Sequence, residues 1–337
     1  MNFWILFLSF LLSFIFLLSY IEVAKKFKIV DKPDERRNHK GELVRGGGII
    51  LIFMTIASSL LLMRYNNIAN SAQMLQILTI FGILGLLFFI EDVRSLRRSL
   101  RFALQFIAAI LASLICQERV IVFTNLPYLL NIIIVVIGWI WFMNLYNFMD
   151  GIDGITATNT IFFATSVLFL ISVLNLNSCF DIELFCLAVI PIFLAFLILN
   201  WSPSKLILGD SGSIAFGFLF GYIFLSFASY IGLLVPILLC SYYLCDSSIT
   251  LIKRIAAKEN ILHPHSKHFF QIALRGGLTA KQICLTIFLL NICLFSISYM
   301  LITKHTPYTV TLGIFLGIIL NVTLLKYFYS FKKYLTK

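Results

Sequence analysis

Charged residues are scarce in this chain of 337 residues. Only 12% are Asp, Glu, Lys or Arg and 60% are hydrophobic, whereas a soluble domain is roughly 25% charged. This scarcity excludes an ordinary soluble enzyme. The hydrophobic residues nearly suffice for eleven helices of ~20 residues, the length that crosses a bilayer. The sequence therefore leaves no room for a separate soluble domain.

Cysteine is also used sparingly, and without a metal-binding pattern. The seven cysteines form no CxxC pair and fall in or beside apolar runs. We interpret them as small core residues rather than metal ligands or disulfides. The chain also lacks the internal repeat that marks many secondary transporters. One helical bundle over residues 1–337 is the predicted architecture.

Apolar runs predict an all-α, polytopic membrane protein with about eleven transmembrane helices. The predicted spans are 3–21, 46–63, 73–90, 102–116, 127–143, 156–174, 183–200, 213–230, 232–250, 279–302 and 307–327. The first run lacks a basic leader and a small-residue cleavage site, which favours an uncleaved span over a signal peptide.

Basic residues gather on one side of the predicted membrane if the loops alternate. Of the 26 Lys and Arg residues, only Arg64, Arg119 and Lys304 fall on the other side. The positive-inside rule then predicts a cytoplasmic C-terminus and an N-terminus outside. Because the net charge of +11 follows from this topology, nucleic acid is not an expected partner.

Carboxylates collect at the cytoplasmic ends of the predicted spans, away from the bilayer centre where a charge is costly. Each of five cytoplasmic loops carries a dense polar motif. These loops lie near 22–48, 91–101, 144–155, 201–213 and 251–278. The distribution predicts a site that faces the cytoplasm at the membrane surface.

The third of these loops is the most specific stretch of the chain. Asn144, Asn147, Asp150 and Asp153 recur every three residues, which predicts a row of polar groups along one helical face. Oxygen ligands of this kind suit Mg²⁺. Helix capping would explain one such residue but not four in register.

Three further loops indicate anion binding. Arg45 precedes Gly46–Gly48, and glycines let backbone amides approach a phosphate closely, although a solvated flexible loop explains them equally well. Glu91 and Asp92 precede a basic helical face, for which membrane anchoring is the alternative interpretation. Asp210 precedes small residues at the start of a span, where a helix N-terminus favours phosphate.

The fifth loop contains three histidines, His263, His265 and His268. No cysteine or carboxylate completes a tetrahedral zinc set at the usual spacing. Phosphate or nucleotide contact is favoured over zinc, with protonated imidazole and Lys267 as donors, because a lysine would repel a metal.

Taken together, the five loops resemble those of the polyprenyl-phosphate N-acetylhexosamine-1-phosphate transferase family. Their motifs follow one another along the chain in the same order as in that family. The family's Asp-x-Pro-Asn-Glu-Arg-x-x-His and Arg-Gly-Gly-Gly motifs correspond to 31–48, and its paired aspartates to 91–92. Its Asn-x-x-Asn-x-x-Asp-Gly-x-Asp-Gly motif corresponds to 144–154, and its Gly-Asp-x-Gly-Ser motif to 209–213. The pattern of His265, His268 and Gln271 is closest to the members that initiate O-antigen.

The resemblance implies a reaction and the residues that perform it. A UDP-N-acetylhexosamine and undecaprenyl phosphate would give undecaprenyl-diphospho-sugar and UMP, with Mg²⁺ required and Mn²⁺ possible. The roles implied are metal binding by Asn147 and Asp210, contact with the lipid phosphate by Glu91, Asp92 and Arg101, and positioning of the UDP-sugar by Asp150, Asp153, His265 and His268. Arg45, Gly47 and Asn144 complete the predicted substrate-binding set. Glu91 is one methylene longer than the family's aspartate, so its carboxylate would lie in a different position.

The resemblance also predicts a bacterial inner-membrane enzyme whose active site faces the cytoplasm, with membrane lipids around it and a possible homodimer. The phospho-MurNAc-pentapeptide translocase of peptidoglycan synthesis is the nearest alternative. A transporter with a cytoplasm-facing anion site would need charges near the bilayer midplane that are accessible from both sides. A purely structural membrane subunit would leave the 144–153 register unexplained.

Overall fold

The computed structural model describes residues 3–31, 43–67, 71–94, 96–116, 126–176, 178–260, 263, 265–304 and 306–334. Most of the first predicted motif, residues 32–42, lies outside the described residues. The interpretation of that stretch as part of the site therefore stays a prediction.

The described residues form an all-α bundle, which confirms the predicted fold class. Its helices are α1 (Phe3–Lys26), α2 (Gly48–Tyr65), α3 (Ala72–Val93), α4 (Arg98–Ile115), α5 (Tyr128–Met149), α6 (Ile155–Leu174), α7 (Phe180–Asn200), α8 (Gly209–Ile231), α9 (Leu234–Leu239), α10 (Ser241–Ala256), α11 (Phe269–Arg275), α12 (Ala280–Thr303) and α13 (Pro307–Ser330). A two-stranded antiparallel ribbon, β1 (Val30–Asp31) with β2 (Leu43–Val44), joins α1 to α2.

Ten helices in the described part of the chain are long and apolar enough to cross a membrane. The prediction of an unbroken ninth span over 232–250 is wrong, because this stretch contains α9 and most of α10, with a break at Cys240. In α10, polar residues such as Asp246 and Ser247 are buried, so its inner face packs on a polar region.

The short pair α9 and α10 nevertheless returns the chain across the bundle. Asp92 on α3, Asn147 on α5 and Asp210 on α8 meet at one side, which we call the site side. The 23 residues of α8 lead about 33 Å away from it. Asp246 on α10 lies at the site side again, because it bonds to His268 at the start of α11. The chain thus traverses the bundle eleven times with ten uninterrupted helices.

The central helix is α8, whose residues are mostly buried. Glycines let α5 approach it closely: a Cβ on Gly217 would lie 2.9 Å from Met143 Cα, and one on Gly221 would lie 2.5 Å from the Trp139 ring. Trp139 Nε1 also donates to the Phe218 carbonyl oxygen at 3.0 Å. This close packing fixes the end of α5 against the start of α8.

Candidate active site

Asp92 holds the first turn of α8 in place. Its two carboxylate oxygens accept the backbone amides of Asp210 at 2.7 Å and Ser211 at 3.0 Å, a favourable position for negative charge at a helix N-terminus. A Cβ at Gly209 would lie 2.6 Å from the Asp92 carboxylate, so only glycine fits there. The Asp92 side chain is fully buried. The structure therefore contradicts the predicted contact between Asp92 and the lipid phosphate.

Asp210 and two arginines form the centre of the site. Asp210 Oδ2 lies 3.2 Å from Arg45 Nη2 and 3.4 Å from Arg101 Nη2. The same arginines pair with the neighbouring carboxylates, Arg45 with Asp92 at 2.9 Å and Arg101 with Glu91 at 3.1 Å. Burial acts to lower the pKa of Arg45, but Asp210 and Asp92 outweigh it and raise the pKa above its ordinary value. This cluster joins the second and fourth predicted loops to Arg45 of the first.

Asn147 contacts the other oxygen of Asp210. Its Nδ2 lies 3.1 Å from Asp210 Oδ1 and 2.6 Å from Ser213 Oγ. If the Asn147 amide rotates, this point receives oxygen donors from all three side chains. Mg²⁺ binds through one or two carboxylates and completes its shell with water and phosphate oxygens. The donors present therefore fit Mg²⁺, while the described residues contain no cluster of three His, Cys, Asp or Glu side chains that would hold it alone.

The predicted row of four polar residues does not lie on one helical face. Asn144 and Asn147 are on α5, but the helix ends at Met149. Asp150 follows its last turn, and Asp153 accepts bonds from the Ser204 amide at 3.2 Å and hydroxyl at 2.8 Å. The helical register breaks because Gly151 and Gly154 follow, and Gly154 adopts a φ of +80°. Asn144 instead donates to Gln105 Oε1 at 2.6 Å.

A polar cavity of about 460 Å³, the acidic cavity, opens beside Asp210. Its walls include Asp150 and Asp153 from the third loop, together with Arg45 and Asn147. Burial raises the pKa of Asp150 to about 7, and the nearby carboxylates of Asp210 and Asp92 act in the same direction. Asp150 thus changes charge near neutral pH, and a cation in the cavity would favour its ionised form.

A second cavity of about 310 Å³ lies on the other side of Asn147. We call it the histidine cavity, because its walls are His263, His265 and His268 with Arg98, Arg101 and Arg254. Asn147 and Gln271 line both cavities. The two histidines expected beside Asp150 and Asp153 are therefore separated from them by this shared wall.

Asp246 organises the histidine loop. The carboxylate accepts the backbone amides of Phe269 at 3.1 Å and Phe270 at 3.3 Å, and lies 3.1 Å from His268 Nδ1. It thereby caps α11 and orients the His268 ring at the same time. The sequence alone assigned no role to Asp246.

His265 is uncharged at neutral pH, contrary to the expected protonated imidazole. Burial lowers its pKa to about 4, and the neighbouring His268 ring acts in the same direction. Its Nδ1 accepts the Lys267 amide at 3.2 Å, so in the neutral ring the proton resides on Nε2. His265 can therefore still donate one hydrogen bond into the cavity.

The glycines after Arg45 serve close packing. The amides of Gly47 and Gly48 donate to the carbonyl oxygens of Ile207 at 3.1 Å and Leu208 at 2.8 Å. They are thus unavailable to a phosphate, which removes the predicted basis for Gly47 in an anion site. A Cβ on Gly48 would lie 2.3 Å from Gly212 Cα, so these glycines bring the start of α2 against α8.

Known proteins resemble this chain in the segment that carries the site residues. The pattern that defines glycosyl transferase family 4 matches residues 72–228, which include Asp92, Asn147 and Asp210. The match covers just under half of the chain, and it shows a similarity to glycosyl transferase family 4 over the segment that carries these three residues. The match confirms the predicted family relationship and the prediction that the chain is an enzyme, a phosphosugar transferase.

Two relatives illustrate the range of proteins that the chain resembles. It is 25% identical over 311 residues to a probable undecaprenyl-phosphate N-acetylglucosaminyl 1-phosphate transferase of Bacillus subtilis (strain 168), covering 88% of this chain and 84% of that protein. It is 26% identical over 209 residues to a phospho-N-acetylmuramoyl-pentapeptide-transferase of Bacillus mycoides (strain KBAB4), covering 55% of this chain and 61% of that protein.

Several polar residues of the candidate active site escaped the sequence analysis. Gln105 and Asn200 are buried; Gln105 bonds to Asn144, and Asn200 accepts the Gly154 amide at 2.9 Å. Ser204 bonds to Asp153. The available signal was a lone polar side chain within or at the end of an apolar span, which is costly in a membrane unless it has a partner.

Proposed function

We propose that the protein transfers an N-acetylhexosamine-1-phosphate group from a UDP-sugar to undecaprenyl phosphate, giving undecaprenyl-diphospho-sugar and UMP. The observation that carries the proposal is the position of Asp210, which contacts Asn147 in the wall shared by both cavities and Arg101 in the histidine cavity. One carboxylate thus stands where two separate cavities meet. A reaction between two bulky anionic substrates needs such an arrangement.

The relatives support this assignment, since both named examples are transferases of the corresponding type. We further infer that the reaction initiates O-antigen or another surface polysaccharide. The enzyme would work in the bacterial inner membrane with the site side facing the cytoplasm.

The chemistry is a phosphoryl transfer. An oxygen of the lipid phosphate bonds to the β-phosphorus of the UDP-sugar, and the bond from that phosphorus to the bridging oxygen breaks as UMP leaves. Mg²⁺ held by Asp210 and Asn147, or Mn²⁺ in its place, would neutralise charge on the diphosphate. Arg45 and Arg101 hold Asp210 in position and offset the repulsion between the two anions. The lipid phosphate is largely ionised at neutral pH, so it needs little help from a base.

The two cavities suit different substrates. Arg98 and Arg101 give the histidine cavity positive charge, and Phe102 beside them is 44% exposed on the flank of α4. This combination favours the phosphate of a lipid whose chain lies along the bundle. The acidic cavity, with Asp150 and Asp153, would take the metal-bound diphosphate and the hydroxyl groups of the UDP-sugar.

The test measures product formation. Membranes containing the protein are incubated with undecaprenyl phosphate, Mg²⁺ and a panel of UDP-N-acetylhexosamines, and UMP and lipid-linked product are quantified. Asp210→Asn should reduce UMP release by at least about 100-fold, the order expected when a group that supports the transition state is lost. Glu183→Gln, a carboxylate change in the first turn of α7 on the opposite side, should leave the rate unchanged. Full activity of Asp210→Asn would remove the metal assignment.

A second candidate donor comes from the pentapeptide-transferase relatives. If the protein instead acts in peptidoglycan synthesis, UDP-MurNAc-pentapeptide will release UMP in the same assay and the simple UDP-N-acetylhexosamines will not. Failure of every donor, in an assay where a known transferase works, would contradict both assignments.

A further inference from the structure

A third cavity, which we call the lysine cavity, lies between α10, α11 and the end of α13 on the site side. It encloses about 340 Å³, within the roughly 300–1,000 Å³ typical of small-ligand sites. Five basic side chains and one carboxylate line it: Lys253, Arg254, Lys267, Arg275, Lys332 and Glu259. It shares only Arg254 with the histidine cavity, so it is a separate compartment from the proposed active site.

The single carboxylate does not neutralise this cavity. Glu259 pairs with Arg254 at 3.2 Å and with Lys267 at 2.5 Å, and hydrogen bonds from these two residues lower its pKa. Its charge is therefore already balanced. Among the residues that the structure describes, neither Lys253 nor Lys332 forms an ion pair. The cavity thus keeps at least two uncompensated positive charges.

Aromatic rings hold these two ammonium groups in place. Lys253 Nζ lies 4.5 Å from the centre of the Phe269 ring and 4.8 Å from that of Tyr329, and Lys332 Nζ lies 5.4 Å from the same Tyr329 ring. Cation–π attraction of this kind offsets part of the cost of placing like charges together. An anion that enters the cavity would meet both ammonium groups at once.

The surroundings of the cavity are apolar and exposed. On α10, Ile252 and Ile255 flank Lys253 and are 63% and 54% exposed; on α13, Tyr327 is 46% exposed. In a protein of membrane-spanning helices, such a surface contacts acyl chains, and tyrosines concentrate at the level of the headgroups. The occupant should therefore combine an anionic headgroup with hydrocarbon tails.

We propose that the lysine cavity binds the phosphate of an anionic phospholipid of the phosphatidylglycerol class, from the leaflet on the site side. Basic pockets between helices at this depth are suited to lipid headgroups. A zwitterionic lipid carries the same phosphate, but its own ammonium group would be repelled by Lys253 and Lys332. The lipid would act as a bound structural ligand that joins α10, α11 and α13.

Lipid binding can be measured without any sugar donor, so the result does not depend on the proposed reaction. The delipidated full-length protein in detergent is titrated with phosphatidylglycerol, with phosphatidylcholine of the same chains and with inorganic phosphate, and native mass spectrometry counts the bound molecules. We expect one tightly retained phosphatidylglycerol. Lys253→Gln with Lys332→Gln should weaken it roughly 30-fold, the effect of losing the surface attraction of two lysines.

A matched double variant controls for general charge. Lys26→Gln with Lys281→Gln removes two exposed lysines outside the cavity and should leave the affinity unchanged. Equal weakening in both double variants, equal affinity for phosphatidylcholine, or binding of free phosphate as tight as that of the lipid would each overturn the proposal. Melting curves verify folding. If the cavity variant does not fold, Lys332→Gln alone, in the exposed turn that follows α13, replaces it and should still weaken binding several-fold.

Discussion

Asp92 and Asp210 belong to one cluster of charges, yet their surroundings give them different tasks. Both oxygens of Asp92 are engaged by the first turn of α8, and its side chain is fully buried. Asp210 keeps 19% of its side chain exposed and faces the acidic cavity. Only Asp210 can therefore reach a ligand, whereas Asp92 supports the helix that presents it.

Replacement of Asp92 should lower the stability of the fold, because Asp92 supports α8 and does not contact a ligand. Asp92→Ala removes the two amide contacts and leaves Arg45 with one fewer partner, so the protein should lose about 3 kcal/mol of stability, as when a buried ion pair loses one member. The measurement is thermal melting in detergent. Glu22→Gln, at an exposed pair with Lys25, should leave the melting temperature nearly unchanged. An unchanged melting temperature for Asp92→Ala would contradict the capping role.

The raised pKa of Asp150 predicts that the stability of the protein depends on pH. Its pKa of about 7 in the folded protein is above the value near 3.9 of an unfolded aspartate, so the folded state binds the proton more tightly. The stability that this proton contributes is complete below about pH 4 and is lost as the pH rises through 7. Without divalent cations, the melting temperature should therefore fall between pH 5 and 8 by more in the wild type than in Asp150→Asn. Parallel curves for the two proteins would contradict the raised pKa.

At the scale of single residues, the sequence predicted some contacts between polar side chains and missed others. Asn147 and Asp210 were predicted as a pair and lie 3.1 Å apart. Asp246 and Gln105 act through contacts to residues 22 to 39 positions away in the chain. Such contacts depend on how helices pack, and the identity of one polar residue in an apolar run does not reveal them.

At the scale of helices, glycine decides how closely α2 and α8 meet. The space at Gly48 is bounded by the backbone of Gly212, which cannot move aside as a side chain would. The sequence analysis left two interpretations of this glycine cluster open, phosphate binding and a solvated flexible loop. Gly47 and Gly48 instead form backbone bonds to Ile207 and Leu208, a tertiary contact that a local motif cannot distinguish from an open loop.

Two glycine replacements should therefore have opposite effects. Gly48→Ala should destabilise the protein by several kcal/mol, since overpacking against rigid backbone costs about 1–3 kcal/mol or more. Gly138→Ala in α5, where no atom lies within 4 Å of the added Cβ, should stabilise it by about 0.5–1 kcal/mol. Melting temperatures of the two variants test this. Similar shifts in both would mean that helix propensity, not close packing, sets the role of Gly48.

The broken ninth span shows that hydropathy predicts where the chain crosses the bundle more reliably than it predicts where helices begin and end. Residues 232–250 are apolar enough to be recognised as a crossing, and the chain does traverse the bundle there. The break at Cys240 and the extension of α10 to Ala256 accompany the burial of Asp246 on the inner face of α10. Average hydrophobicity does not register either feature.

For the whole molecule, eleven traverses place the start of α1 and the end of α13 on opposite sides of the membrane. The polar loops gather on the site side, in agreement with the predicted distribution of basic residues. The side of the membrane on which they lie stays a prediction from the positive-inside rule.

A labelling experiment tests this orientation. In intact cells, a membrane-impermeant maleimide should label Lys304→Cys, at the end of α12 away from the site, and should label Lys281→Cys, at the start of α12, only after permeabilisation. The unmodified chain serves as the control, because its own cysteines also react. Among the described residues, Cys293 is the only exposed cysteine. The reverse pattern would invert the topology and place the site outside.

The wall of Asn147 and Gln271 between the two cavities has a kinetic consequence. Because the linings of the two cavities have only these two residues in common, we expect each substrate to enter its own cavity without blocking the other. Initial rates measured against both substrates should therefore give intersecting double-reciprocal lines with no obligatory order of addition. UMP and the lipid product would likewise depart independently.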